Sequence, residues 1–339
     1  MYVDDFKVKS NDTKLITEFE QHMDTKYDMT TNDDGMYLGI LEQVLPDGST
    51  CYSKPHIESK LYDEYVPKDF TGPHPAKPMV KSYSKNRPSN SPLCDNSKFR
   101  SLLGLLMQLI DVKLELNFPL SKISRYTETA IQYDFDALLH MVFYLHGTQH
   151  IKLVLRTNND VTATYIQLRS FADMAYSSHN GKSQYCTCYD LVTTTPEIAE
   201  SGDYVDYGTA MFHLRSTLAK TVDLGTCCAE IGTNIEAGKD DILLRGVLEE
   251  LGHKQLFATP IYNDNTAAIK LGTDYSGNHK RVRFMLPKIN WLMEQTKAKV
   301  LRLVYMHTGL LPPDIGTKED FDGPEFERKR GAVMGTQNP

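Results

Sequence analysis

No apolar run in the 339-residue chain approaches the ~20 residues that cross a bilayer as a helix, which excludes a protein built on membrane-spanning helices. The start, Met1-Tyr2-Val3-Asp4-Asp5, lacks the basic and apolar regions of a secretory signal, so a non-secreted chain in a reducing compartment, cytoplasmic or nuclear, is expected. Cysteine is scarce. Among the six, Cys186 and Cys188 stand one residue apart and Cys227 adjoins Cys228, spacings that fit free thiols better than a Cys-x-x-Cys zinc pair. Positive charge is also short: 37 Lys and Arg face 44 Asp and Glu for a net charge of −7, whereas a nucleic-acid surface usually demands a basic balance. The shortage is uneven. Between Ser276 and Arg302, Lys280, Arg281, Arg283, Lys288, Lys297, Lys299 and Arg302 are opposed by Glu294 alone, a stretch that suits phosphates and equally suits a solvated helix face. With 40% hydrophobic and 24% charged residues, the chain reads as soluble, globular and long enough for roughly two domains with buried cores.

Leu15, Ile16, Phe19 and Met23 recur at helical spacing and predict an amphipathic helix. Tyr37-Leu38-Gly39-Ile40 reads as a short strand with a glycine for close backbone approach, and Pro46-Asp47-Gly48 as a hairpin turn before a second strand. From Val66 to Asn96, Pro67, Pro73, Pro75, Pro78, Pro88 and Pro92 mark a linker or an extended crossing segment. Helical patterns resume at Phe99 to Ile110 and at Phe135 to Leu145, where Leu138, Leu139, Val142 and Phe143 form a packing stripe. Beyond Ile151, Leu153 to Arg156, Ile166 to Phe171, Ala258 to Tyr262 and Val300 to Met306 read as strands and Ile242 to Leu251 as a helix. Early antiparallel strands, a helix, a parallel strand, further helices and a last strand make a mixed α/β (α+β) sheet.

Ligands of such sheets sit beyond the carboxyl ends of strands, so acids placed there are the first candidates for a site. Asp264 follows the Ala258 to Tyr262 strand, Glu230 opens a helix, and Asp314 follows Pro312-Pro313 at the start of a short last helix. Asp4 and Asp5 are adjacent carboxylates on a tight turn. Their repulsion is tolerated where a divalent cation lies between them and substrate phosphates, although an ordinary β-turn has the same letters.

Taken in order, Tyr2-Val3-Asp4-Asp5, Tyr37-Leu38-Gly39-Ile40, Phe99-Arg100-Ser101-Leu102-Leu103-Gly104 and Tyr144-Leu145-His146-Gly147-Thr148 resemble the landmarks of copia-type LTR retrotransposon polyproteins. Lys220-Thr221-Val222 with Ala229-Glu230-Ile231 is similar to a segment of the family's ribonuclease H domain. Thr259-Pro260-Ile261-Tyr262-Asn263-Asp264-Asn265 with Ala267-Ala268-Ile269 resembles its third acidic segment, and Asp314-Ile315-Gly316-Thr317-Lys318 its closing one. The resemblance implies the C-terminal part of a reverse transcriptase joined to a ribonuclease H domain. On that reading 1–65 is a palm remnant, 66–98 a Pro/Ser/Lys-rich linker and 99–150 a helical thumb or connection region. Residues 151–325 are then a ribonuclease H-like mixed sheet flanked by helices, and 326–339 a tail.

The resemblance further implies Asp4 and Asp5 as polymerase metal ligands, and Glu230, Asp264 and Asp314 as three of four nuclease ligands. Two Mg²⁺ or Mn²⁺ ions ~4 Å apart would hydrolyse the RNA strand of an RNA–DNA hybrid held by its backbone and 2′-hydroxyls. Hard, oxygen-rich ligation suits these ions and not zinc. His279 falls where a related enzyme places a proton-shuttling histidine, set against an ordinary surface histidine, and Lys280, Arg281 and Arg283 are candidate phosphate contacts. Implied partners are the hybrid or other nucleic acid and other Pol or Gag chains, within a cytoplasmic virus-like particle or the nucleus, with no membrane.

The first acid departs from the family. Where the family has Ser-Asp-Ala-Asp-Trp-Ala or Ser-Asp-Ala-Ser, with the leading Asp as ligand, this chain reads Ser170-Phe171-Ala172-Asp173-Met174-Ala175. Phe171 takes the ligand position. Asp173 shares its strand face but lies ~6–7 Å further along, too far for a ~2.1 Å Mg²⁺–oxygen bond unless the backbone bulges. The stretch from Ser183 to Met211 also carries Glu197, Glu200, Asp203 and Asp206 where the family has a short hairpin, by loop expansion or by drift. Three readings stay open: an active ribonuclease H beside an inert polymerase remnant; a non-catalytic remnant or recruited nucleic-acid-binding protein; and a fragment whose catalytic parts lie upstream or on a second chain. A polymerase takes a further carboxylate from an earlier palm strand, which the residues from Met1 onward are not expected to supply. Primer extension on an RNA template with Mg²⁺ or Mn²⁺ is therefore expected to stay at background, and synthesis above it would overturn that reading.

Overall fold

The computed structural model describes residues 7–27, 29–30, 34–156, 165–202, 211–274 and 280–336, without the side chains of 280–282. Asp4, Asp5 and His279 lie outside the described residues, as do the side chains of Lys280 and Arg281.

Helix α1 (Thr13–Asp24) starts where the Asp12 carboxylate accepts from Lys14 N at 2.9 Å. Strands β1 (Met36–Tyr37), β2 (Ile40–Val44) and β3 (Thr50–Ser53) follow as an antiparallel meander. The stretch expected as one strand at Tyr37 to Ile40 is instead a hairpin, because Leu38 (φ 49°) and Gly39 (φ 76°) both take left-handed backbone, the geometry of a two-residue turn. Strand β4 (Leu153–Leu155) pairs antiparallel with β3 and completes a four-stranded sheet, β1-β2-β3-β4. Its neighbours in sequence suggested membership of the later sheet; a three-residue strand carries too few side chains to specify its partner.

Helix α2 (Pro55–Tyr65) precedes the proline-rich stretch, and the short α3 (Tyr83–Asn86) lies within it and ties it down. Tyr83 is buried and donates its hydroxyl to Asp134 Oδ1 at 2.5 Å, while Arg87 holds both oxygens of the same carboxylate at 2.8 Å. Helices α4 (Asn96–Met107) and α6 (Gln132–Gly147) match the two helical patterns read from the sequence, and α5 (Asn117–Ile123) lies between them.

The second sheet has the order β7-β6-β5-β8-β9. Strands β5 (Tyr165–His179), β6 (Lys182–Thr194) and β7 (His213–Leu218) run antiparallel, and the short α7 (Pro196–Ser201) follows β6. After helix α8 (Thr226–Glu250), β8 (Thr259–Asn263) lies parallel to β5. Helices α9 (Thr266–Thr273) and α10 (Leu286–Lys297) then lead to β9 (Leu301–Tyr305), parallel to β8, and α11 (Gly323–Met334) ends the described chain. This is the mixed sheet expected from the element order. Among the described residues no helix is long and apolar enough to cross a membrane.

The period-2 alternation of β5 divides its neighbours. Ala172 faces Ala237 of α8 and Ile261, Leu301 and Leu303 of the parallel strands. Phe171 faces the other way, fully buried, its ring stacked 5.0 Å from Tyr262 in a core that also holds Cys186, Cys188, Leu214 and the apolar residues of α4 to α6. The 99–150 helices and the second sheet therefore share one core. Phe326, Val333 and Met334 of α11, in the stretch assigned to a tail, join it. On the same face of β5, Arg169 pairs with Asp190 across to β6, both buried, with Nη2 to Oδ2 at 2.5 Å.

Because position 171 is core, Phe171→Asp buries a carboxylate against Tyr262 and the two thiols. We expect it to cost about 3 kcal/mol or more of stability. Denaturant unfolding checks this, and a change below about 1 kcal/mol would show that the position is tolerant of charge.

Candidate metal centre

Three carboxylates meet where β8 ends beside the middle of β5. One oxygen each from Asp173, Glu230 and Asp264 lies within 4.8 Å of the others, the only such group of three or more His, Cys, Asp or Glu among the described residues. Each arrives by a separate route. The β5–β8 register pairs Ser170 with Ile261 and Phe171 with Tyr262, so two residues further along Asp173 and Asp264 stand level where β8 gives way to α9. Glu230 sits in the second turn of α8, which begins at Thr226, four residues before it. That part of the helix lies close on the sheet: a side chain at Gly232 would place its Cβ 2.3 Å from Tyr185 Oη, and one at Gly238 would meet Leu301 at 2.7 Å.

Two side chains fix the acids. Asn263 donates Nδ2 to Glu230 Oε2 at 2.8 Å and to the Ala172 carbonyl at 3.1 Å, while its Oδ1 accepts from Asn265 N. Thr317 donates its hydroxyl to Asp173 Oδ2 at 2.5 Å. Both belong to acidic segments quoted from the sequence, which singled out only the charged members; an asparagine one residue before a strand-end Asp was the available signal.

Asp173 and Glu230 are buried, and Asp264 is partly exposed. Burial, together with the charges of Asp314 and Asp264, lifts the Asp173 carboxyl to about 7 against the hydrogen bond from Thr317 and the charge of Lys318. Burial likewise lifts Glu230 to about 8, with Asp173 and Asp264 adding to it and the Asn263 amide opposing. Neighbouring buried carboxylates with raised pKa are an electrostatic deficit that a bound cation relieves. The donor set is all carboxylate oxygen, the kind of ligation that hard divalent cations take.

Asp314 lies outside this group of three. It is buried on the 3-10 turn Pro312–Gly316, near enough for its charge to act on Asp173, and its oxygens face Lys318 Nζ and Lys329 Nζ at 2.8 Å each. The turn presses on β6 so closely that a Cβ on Gly316 would fall 2.1 Å from Cys186 Sγ. Of the basic stretch, Arg283, Lys288, Lys297 and Lys299 are exposed, and Arg302 Nη1 donates to the carbonyls of Glu200 and Ser201.

No family model matches the sequence. The retrovirus-related Pol polyprotein from transposon RE2 of Arabidopsis thaliana is 23% identical over 340 residues, covering 98% of this chain and 22% of that polyprotein. That from transposon TNT 1-94 of Nicotiana tabacum is 24% identical over 330 residues, covering 94% and 23%. This chain is similar to transposon Pol polyproteins along nearly its whole length. A third, from transposon RE1 of Arabidopsis thaliana, is 21% identical over 311 residues, 91% of this chain and 20% of its own. The chain thus spans about a fifth of the curated relatives it matches. Among solved structures, LC11-RNase H1 isolated from compost aligns over 42% of this chain and 85% of its own, at 12% identity and a TM-score of 0.29.

The raised carboxyls give the metal-free protein a signed pH dependence. Above pH ~4 the unfolded chain releases protons that folded Asp173 and Glu230 hold until about 7 and about 8, so stability falls as pH rises through that window. In EDTA, Tm is expected to drop from pH 5 to 8.5, and Asp173→Asn with Glu230→Gln should flatten the slope relative to wild type. Equal slopes would mean that these carboxyls ionise normally.

Proposed function

We propose that this chain is part of a copia-type retrotransposon Pol polyprotein whose residues from about Tyr165 onward form a ribonuclease H-like nuclease centre acting on the RNA strand of an RNA–DNA hybrid. The observation that carries the reading is the meeting of Asp173, Glu230 and Asp264 on a sheet of three antiparallel and two parallel strands, although up to 91 residues of chain separate them. The Asp4-Asp5 pair is assigned to a polymerase remnant on the resemblance alone.

Asp173, Glu230 and Asp264 would hold the divalent cation, with Asp173 as the first acid in place of a carboxylate at 171. When bound, the cation lowers the pKa of an attacking water and offsets charge on the scissile phosphate. The chain's own groups prepare the centre. Asn263 holds the Glu230 carboxylate in place, and Thr317 does the same for Asp173. Asp264, the most open of the three, would be the one an arriving phosphate backbone meets first. Shape and 2′-hydroxyls would select the hybrid, with little choice of sequence.

One observation favours a second reading, a non-catalytic nucleic-acid-binding remnant: the fourth acid, Asp314, is already paired with two lysines. Cleavage of a hybrid labelled on its RNA strand separates the two. The nuclease reading expects Mg²⁺-dependent cutting that falls at least ~100-fold in Asp264→Asn and in Asp173→Asn with the fold retained. Hybrid binding without cutting in the wild type would select the second reading.

A further inference from the structure

Lys318, Lys329 and Asp314 form a charge group that a two-ion nuclease centre does not need. Lys329 is almost fully buried and fixed: its ammonium donates to the Thr308 carbonyl at 3.1 Å, the Leu311 carbonyl at 2.7 Å and Asp314 Oδ2 at 2.8 Å. Lys318 approaches Asp314 Oδ1 at 2.8 Å from the solvent side, its side chain 46% exposed. The two ammonium groups more than balance the Asp314 charge. The Lys318 charge also acts on Asp173, so it reaches both the fourth acid and the group of three. A second divalent ion shared by Asp173 and Asp314 would have to enter beside this ammonium and displace it from Asp314. For a strongly hydrated ion that binds through few carboxylates, the loss of a free fourth carboxylate together with a fixed neighbouring cation is a double penalty.

We propose that the centre takes a single divalent cation, on Asp173, Glu230 and Asp264, and that the Lys318 ammonium, docked on Asp314, stands where a second cation would bind. This inference rests on the reading of those three acids as metal ligands. Lys318 then has a defined role, because a side chain half open to solvent and anchored at one end of a metal site presents its positive charge to an incoming phosphate as a point charge. Lys329 is a positioning residue that holds Asp314 so that Lys318 has a fixed anchor.

The test is the stoichiometry of Mn²⁺ bound to the full chain, from free Mn²⁺ by electron paramagnetic resonance and from calorimetric titration. Wild type is expected to bind one Mn²⁺ per chain, and Asp264→Asn to bind at least tenfold more weakly. Lys318→Ala, which removes a half-exposed side chain, is expected to bind a second Mn²⁺, and Lys318→Arg, which keeps the charge, to return to one. Should Lys318→Ala fail to fold, Lys318→Met keeps the stem and removes the charge, with the same expectation of two ions. Two ions on the wild type would overturn the single-cation inference and leave the nuclease reading standing. One ion on every charge-removing variant would overturn the role given to Lys318. No binding by the wild type, with Asp264→Asn indistinguishable from it, would overturn both the inference and the metal-centre reading beneath it.

Discussion

Negative charge held out of water is the constraint on which the second half of this molecule is arranged. Three carboxylates within 4.8 Å of one another, two of them buried, repel each other and are poorly solvated, so they stay together only because the surrounding framework is rigid enough to hold them. The framework is visible. Helix α8 carries Glu230 and lies close on the sheet because Gly232 and Gly238 have no side chain to keep it off, and it is pinned further along by the Ser170 hydroxyl donating to Asp241 Oδ2 at 2.8 Å. Strand β5 is held from the other side by the buried Arg169–Asp190 pair and by Phe171 stacked on Tyr262. Removing a partner from a buried pair of this kind leaves an unpaired charge in the core, which is why such contacts hold a register firmly.

The same framework explains how far the sequence could be read. The first half of β5, the parallel strands β8 and β9, and the second half of α8 were legible, because two-residue and 3.6-residue periods write themselves into composition, whereas β6 and β7 were not read as strands. So were Glu230 and Asp264, which stand at element ends in recognisable segments. What was not legible depends on pairing. The three residues of β4 join the first sheet through β3, which lies about a hundred residues away in the chain, and nothing local announces this. Leu38 takes a left-handed backbone that favours glycine, so a hairpin turn was hidden inside an apparent strand. The shared core of α4 to α6, α11 and the second sheet was hidden too, since an apolar stripe states that a face is buried but not against what.

Position 171 shows the difference between motif and register most clearly. Aligned by motif, Phe171 stands where a metal ligand is expected and Asp173 is two residues too late. Aligned by hydrogen bonding, Phe171 is level with Tyr262, deep in the sheet, and Asp173 is level with Asp264, so no bulge is needed to bring the two acids together. The paired register of β5 with β6 is in fact regular through this stretch, its one irregularity falling later, between Ala175 and His179. A strand places its side chains by its partners. A motif read along one chain fixes the parity of the face but leaves the level along the strand open to a shift of two residues.

Asp314 follows from the same charge argument. A fourth carboxylate added to the three would deepen the deficit, and this chain places it on a separate buried turn, close enough to act on Asp173, with one ammonium buried behind it and another open to solvent. Buried lysines are costly unless their donors are matched, and Lys329 meets that requirement with two carbonyls and one carboxylate oxygen. The turn that carries Asp314 owes its closeness to Gly316 against Cys186 and to the Ser216 hydroxyl donating to the Gly316 carbonyl at 2.5 Å. The closely spaced thiols thus have a steric role: Cys186 and Cys188 fill the core under the turn, and the absence of bulk at Gly316 lets the fourth acid and its two lysines approach the other three.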